Sequence, residues 1–158
     1  MDGFRPEFMQ EAIRLSIENV DKGIGGPFGA VVVKDGKIIA KGSNLVTRTN
    51  DPTAHAEVVA IREACRVLGD FQLRDCDIYT SCEPCPMCLA AIYWARPARV
   101  FFANTKSDAA RIQFDDQFIY EEIEKSPGER SIPMYRVMGD EAMIAFEKWQ
   151  TSVNKIAY

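Results

Sequence analysis

Apolar side chains recur with two different periods along this chain, and the switches between them mark out its elements. From about Pro6 to Lys22, Phe8, Ile13, Leu15, Ile17 and Val20 fall among good helix formers, and Gly23 with Gly25-Gly26 closes a packing helix. Two β-rich runs follow, Phe28 to Lys34 and Lys37 to Gly42, joined by Asp35-Gly36, a dipeptide that favours a tight hairpin turn. Asn50-Asp51-Pro52-Thr53 then supplies turn and capping chemistry ahead of a helix from about Ala54 to Leu68, with Val58, Ile61, Ala64, Cys65 and Leu68 on one face and Gly69 at its end. Asp77 to Thr80 is β-like, Glu83-Pro84 turns, and Pro86 to Ala95 is helical with a proline where no hydrogen bond is lost.

Further on, Arg99 to Ala103 is predicted as a strand and Asp108 to Glu124 as a mostly helical connection. Pro133 to Met138 is predicted as a last strand and Asp140 to Asn154 as a closing helix. Lys125 to Glu129 is a surface loop. Helices alternating with strands after the first hairpin argue for one mixed sheet covered on both faces. No internal repeat, low-complexity tract or linker interrupts the pattern, so residues 1–158 are expected to form one domain. The glycine-rich stretch Gly23 to Gly29 precedes a strand and lacks the lysine and helix of a phosphate-binding loop.

Composition narrows the class. With 47% apolar residues the chain can bury a sizeable core, and its net charge of −4 counts against a nucleic-acid substrate, which calls for a basic stripe. Met1 to Gln10 has no signal-peptide character and no stretch approaches the roughly 20 apolar residues of a membrane span, so a cytosolic location is expected. Five cysteines, three of them between positions 82 and 88, suit reduced thiols and a metal better than a disulfide framework.

The chemistry concentrates in two short stretches, Thr53-Ala54-His55-Ala56-Glu57 and Ser81-Cys82-Glu83-Pro84-Cys85-Pro86-Met87-Cys88. His55 is the only histidine in the chain. With Cys85 and Cys88 it makes three ligands of the kind Zn²⁺ prefers, the number a catalytic zinc takes while keeping a fourth position open. Glu57, two residues beyond the histidine, can reach that position without ligating, where a proton carrier for an attacking water must stand. Both pairs fall at predicted helix starts, where free backbone amides and a positive dipole favour thiolates and anions.

Blander readings stand beside this one. Cys82 could close a Cys₃His tetrahedron, leaving a structural zinc and no work for Glu57. An iron–sulfur run would need a further cysteine four residues on, where Ile92 stands. Cys65 and Cys76 are simplest as small core residues.

The pairing of H-x-E with P-C-x-x-C resembles the signature of the zinc-dependent nucleobase deaminases. Over nearly its whole length the chain is similar to the cytidine deaminase-like superfamily and, within it, to the small bacterial guanine deaminases. The likeness runs through Gly25-Gly-Pro-Phe-Gly-Ala30, Asp51 to Glu57, Thr80 to Cys88, Ala91 to Pro97, Phe114-Asp-Asp116 and the terminal Tyr158. That resemblance implies a three-layer α/β/α sandwich around a five-stranded mixed sheet, a homodimer, and hydrolysis of guanine to xanthine and ammonia. It further implies a purine pocket in which Asn44 hydrogen-bonds the base, Phe28 and Trp94 form aromatic walls, Asp116 accepts ring or amine protons and Tyr158 closes the site. Taken on their own, Phe28 and Trp94 also suit a core, Asn44 a turn cap, and one of Asp115 and Asp116 a solvated surface. Guanosine, cytosine, cytidine and a tRNA adenosine stay open as alternative substrates, and a non-catalytic zinc protein as an alternative class.

Overall fold

Alternation along Ala30-Val31-Val32-Val33 sends successive side chains to opposite faces of a sheet, and both faces are buried. The structure, a computed structural model, describes residues 3–158. Residues up to Asp116 form one compact unit and Gln117–Tyr158 a second.

The first unit is built on four strands, β1 (Gly29–Lys34), β2 (Lys37–Ser43), β3 (Cys76–Cys82) and β4 (Arg99–Asn104), in the order β2-β1-β3-β4. β1 runs antiparallel to β2 and to β3, and β3 runs parallel to β4. The β1–β2 hairpin turns on Asp35 and Gly36, both in the left-handed region at φ 51° and 70°, as a two-residue loop matched to strand twist requires.

Helix α1 (Pro6–Asp21) covers one face, where Phe8, Met9 and Ala12 pack on Val31, Val33, Tyr79 and Phe101. On the other face α3 (Ala56–Leu68) and α4 (Pro86–Ala95) lay Ala56, Ala60, Ala64, Ile92 and Ala95 against Ala30, Val32, Ala40 and Ile78. This unit is therefore a three-layer α/β/α sandwich with a mixed sheet, as expected. The parallel β3–α4–β4 crossover places the β3 to α4 turn at the carboxyl end of the sheet, where open α/β folds carry their ligands.

Small residues let α3 approach closely. A Cβ on Gly42 would lie 2.2 Å from the Ala56 carbonyl and 2.6 Å from the Ala60 nitrogen, backbone atoms that cannot swing aside. Gly42→Ala therefore pushes β2 away from the start of α3, and urea unfolding should show a loss of about 1–3 kcal/mol, the range for overpacking a close contact. A change within 0.5 kcal/mol would show that the helix moves freely.

Three expectations need correction. The sheet has four strands among the described residues, not five. Pro133 to Met138 forms no ladder: Pro133 lacks an N–H, Met134 N–H bonds the Pro127 carbonyl in a local turn, and Met138 turns left-handed at φ 53°. The helical connection after β4 is broken into α5 (Lys106–Arg111) and α6 (Gln117–Glu124). A capping box between Thr105 and Asp108 starts α5 early, and Gln113 at φ 72° stops it before Phe114. A short α2 (Val46–Thr49), ended by Asn50 at φ 53°, follows Asn44 where only a turn was expected.

The second unit holds α6, a short 3₁₀ turn (Pro127–Glu129) and α7 (Gly139–Thr151), and none of its side chains is buried. Arg130 Nε donates to the Glu122 carbonyl and Ser131 N–H to the Glu122 carboxylate, tying the turn to α6. No helix among the described residues is long and apolar enough to cross a membrane.

Candidate active site and metal centre

His55 is the N-cap of α3 and Cys85 the N-cap of α4, while Glu57 and Cys88 lie in the first turns of the same two helices. Pro86 at the first position of α4 fixes the entry angle without losing a hydrogen bond. α3 and α4 share one face of the sheet, so their N-termini meet over the end of β3.

There the imidazole Nδ1 of His55 lies 3.5 Å from Cys85 Sγ and 3.5 Å from Cys88 Sγ. One ligand atom from each of the three residues falls within 4.8 Å of the other two. A tetrahedral zinc with Zn–S about 2.3 Å and Zn–N about 2.0–2.1 Å spans edges of roughly 3.6 Å between sulfur and nitrogen. The observed spacing and the soft donor set therefore fit that ion.

The thiols are poised for it. The hydrogen bond from Cys88 first, and then that from His55, brings Cys85 down to about 4 against the opposing effect of burial. The same bond to Cys85, followed by burial, holds the second proton on Cys88. The pair thus gives up its first proton at Cys85, as a coupled dithiol does. His55 is raised, chiefly by its hydrogen bond with Cys85.

Glu57 is 6% exposed. Thr80 Oγ1 donates to its Oε1 at 3.1 Å, and Cys88 Sγ stands 3.4 Å from its Oε2. Burial pushes the Glu57 carboxyl up, outweighing these hydrogen bonds. A carboxyl held beside the candidate ligand group and lifted towards neutrality can both accept and return a proton.

Cys82 does not join the group. Its Sγ donates to the Thr105 carbonyl at 3.6 Å, and burial pushes the thiol up to about 11, so it stays a protonated donor at the end of β3. The three-ligand arrangement leaves a coordination position unfilled by protein, and the Cys₃His alternative loses its fourth ligand.

The expected pocket residues differ in burial and partners. Asn44 is buried at the end of β2, and its Oδ1 accepts from Val46 N–H at 3.3 Å, so it caps a turn as well. Phe28 meets Phe114 edge-to-face with ring centroids 4.9 Å apart. Asp116 is half-buried; burial first, and then the charge of Cys85, raise its carboxyl. Trp94 is 62% exposed on the last turn of α4, where it walls no core. Tyr158 is exposed in the second unit.

Two polar residues escaped the sequence reading. Thr80 holds Glu57, and Asn19 is buried on α1 with its amide on the carbonyls of Gly26 and Asn44. Asn19 could have been found: it continues the buried stripe of Ala12 and Ser16, where a polar side chain needs a partner.

Comparison with known proteins agrees with this geometry. The family described as "Cytidine and deoxycytidylate deaminase zinc-binding region" matches residues 4–104. Guanine deaminase of Bacillus subtilis is 60% identical over 151 residues, covering 96% of this chain and 97% of that protein. The X-ray structure of guanine deaminase from Bacillus subtilis superposes with a TM-score of 0.95 at 59% identity, over 98% of this chain and 99% of that one. A tRNA-specific adenosine deaminase of Aquifex aeolicus is 44% identical over 96 residues, 61% of this chain and 63% of that protein.

Proposed function

The chain belongs to the zinc-binding cytidine and deoxycytidylate deaminase family, and from that membership we propose its reaction, the hydrolysis of guanine to xanthine and ammonia. It is a zinc-dependent aminohydrolase. The observation that carries the substrate is the reach of the likeness: identity to guanine deaminase extends over 96% of the chain, well past the zinc-binding region at residues 4–104. The likeness to the tRNA-specific enzyme covers 61% of the chain, and a net charge of −4 gives a polyanion little to hold.

His55, Cys85 and Cys88 hold the zinc in this reading. Bound zinc supplies Lewis acidity, drawing the pKa of water from about 15.7 towards 7. Glu57 takes a proton from the attacking water and passes it to the ring nitrogen beside carbon 2 of guanine. Once water has added at carbon 2, Glu57 takes the second proton from the new hydroxyl and delivers it to the amine, which leaves as ammonia while the carbonyl of xanthine forms, so one carboxyl serves as base and as acid in turn. Thr80 fixes Oε1 by its hydrogen bond, and Oε2, on the side of Cys88, is the oxygen that exchanges the proton.

For the base itself we assign Asn44 as a hydrogen-bond partner, Asp116 as an acceptor, Phe28 and Trp94 as aromatic walls and Tyr158 as the closing residue. Support is strongest for Asn44: Val46 N–H occupies its Oδ1, so the amide donors are left for a ligand acceptor. Asp116 is supported by its half-buried place within reach of the Cys85 charge.

The 158 residues work as a single cytoplasmic deaminase domain assembled as a homodimer. The second unit carries Phe118, Ile132, Tyr135, Val137, Ile144 and Phe146 exposed, an apolar display that favours a partner chain. Sedimentation should give twice the mass of one chain, and a monomer at micromolar concentration would refute the assembly.

The substrate assignment is tested by ammonia release from guanine, guanosine, cytosine, cytidine, adenine and a tRNA anticodon stem. Guanine should be turned over at least about tenfold faster than any other member, the discrimination a single well-made hydrogen bond provides. Faster release from cytidine or from the tRNA stem would overturn it.

A further inference from the structure

The side chain of Asn19 is the one polar group of α1 that reaches into the pocket framework from the opposite layer, and it is 2% exposed. Its Nδ2 donates to the Gly26 carbonyl at 2.8 Å and to the Asn44 carbonyl at 2.9 Å. Two carbonyl acceptors fix the orientation of the amide, because only its nitrogen end can donate to both.

Those two carbonyls belong to the segments that carry Phe28 and Asn44. Around them the backbone is closed on every side. Phe28 N–H bonds the Gly26 carbonyl at 2.8 Å, Asn44 N–H bonds the Phe28 carbonyl at 3.1 Å, and Ile24 N–H bonds the Asn19 carbonyl at 3.0 Å. The next residue, Leu45, donates to the carbonyl of Ala54 at 2.9 Å, immediately before His55. Gly25 permits the approach, since a Cβ there would lie 2.4 Å from the Asn44 carbonyl and 3.2 Å from Asn19 Nδ2.

We propose that Asn19 is a positioning residue for purine recognition: its buried amide staples the Gly26 turn to Asn44 and so fixes where the Asn44 side-chain amide is presented to the base. The staple rests on the assignment of Asn44 as a substrate partner. With its carbonyl tied to Asn19 and its N–H to the Phe28 carbonyl, the Asn44 backbone is held on both sides, and the side-chain Nδ2 is the group left for a ligand. Without the staple the buried Asn44 carbonyl loses its donor and the Gly26 carbonyl keeps only Phe28 N–H, the turn relaxes, and the amide swings while the residues at the starts of α3 and α4 stay in place.

The experiment is a cycle with the zinc-loaded enzyme and guanine, using Asn19→Leu, which is close in shape and donates nothing, Asn44→Ala, and the two combined. Asn19→Leu should raise KM about tenfold or more with a smaller change in kcat and one zinc still bound per chain. In the Asn44→Ala background the same substitution should raise KM less than twofold. Val33→Ala, which thins the core between β1 and α1, serves as a stability control and should lower Tm with KM unchanged. If Asn19→Leu does not fold, Asn19→Ser, which keeps one donor, is read by the same criteria.

An unchanged KM in the Asn19 variant would overturn the proposal, as would an equal rise in both backgrounds or a matching rise in Val33→Ala. Asn44→Ala with the KM of the parent would sink the pocket assignment itself, and the staple with it, while leaving the zinc and Glu57 chemistry intact.

Discussion

Glu57→Gln lowers kcat for guanine by about two to four orders of magnitude, the contribution expected of a positioned general acid/base, while zinc content stays at one per chain. Glutamine keeps the volume of the buried side chain and an oxygen for the Thr80 hydroxyl, which donates to Glu57 Oε1 at 3.1 Å. It therefore changes proton transfer and little else. Metal is retained because the three ligand atoms come from His55, Cys85 and Cys88 alone. The decisive readouts are kcat from ammonia release and zinc by atomic absorption on the same preparation. Turnover within tenfold of the parent would remove Glu57 from the proton path. Loss of zinc together with activity would instead make it a ligand or a structural support.

Cys88→Ser removes a soft ligand from the centre of the cluster, and here both quantities fall together. Cys88 is fully buried and lies 3.5 Å from His55 Nδ1, and the ligand group found among the described residues is His55, Cys85 and Cys88. Removing a second-sphere partner of a metal site typically costs 10–100-fold in affinity or activity, and losing a ligand itself costs more. Zinc occupancy should drop well below one per chain after dialysis, with turnover down by more than about 100-fold. Cys82→Ser is the matched control. Its thiol donates to the Thr105 carbonyl, a bond a hydroxyl can also make, so zinc content should be unchanged. Loss of zinc in Cys82→Ser but not in Cys88→Ser would reinstate the structural-zinc alternative.

How much of this was legible in the sequence depended on whether the chemistry is local. His55, Glu57, Cys85 and Cys88 could be singled out because their spacing, two residues and three residues, falls inside single turns at helix starts that turn residues and Pro86 announce. That the two starts converge required only that both helices cover one face of the sheet.

Thr80 and Asn19 were harder, since their meaning comes from register. Thr80 points towards Glu57 only once β3 has paired with β1, Ala30 opposite Thr80, and α3 has packed on that face. Asn19 acquires one of its partners, Asn44, across 25 residues of chain. The fifth strand failed for a different reason. Met134, Tyr135 and Val137 supply β propensity, but propensity is a weak guide where no neighbour offers a ladder, and the segment closes a local turn on Pro127.

The central claim is that a zinc ion held by His55, Cys85 and Cys88 makes this chain a guanine aminohydrolase. It is tested most directly by titrating zinc into metal-stripped protein while following xanthine formation from guanine. Xanthine should be absent at the start, rise in proportion to added zinc and level off at one ion per chain, with one ammonia released for each xanthine. Full activity in the metal-free protein, or xanthine still absent at one bound zinc per chain, would contradict the account.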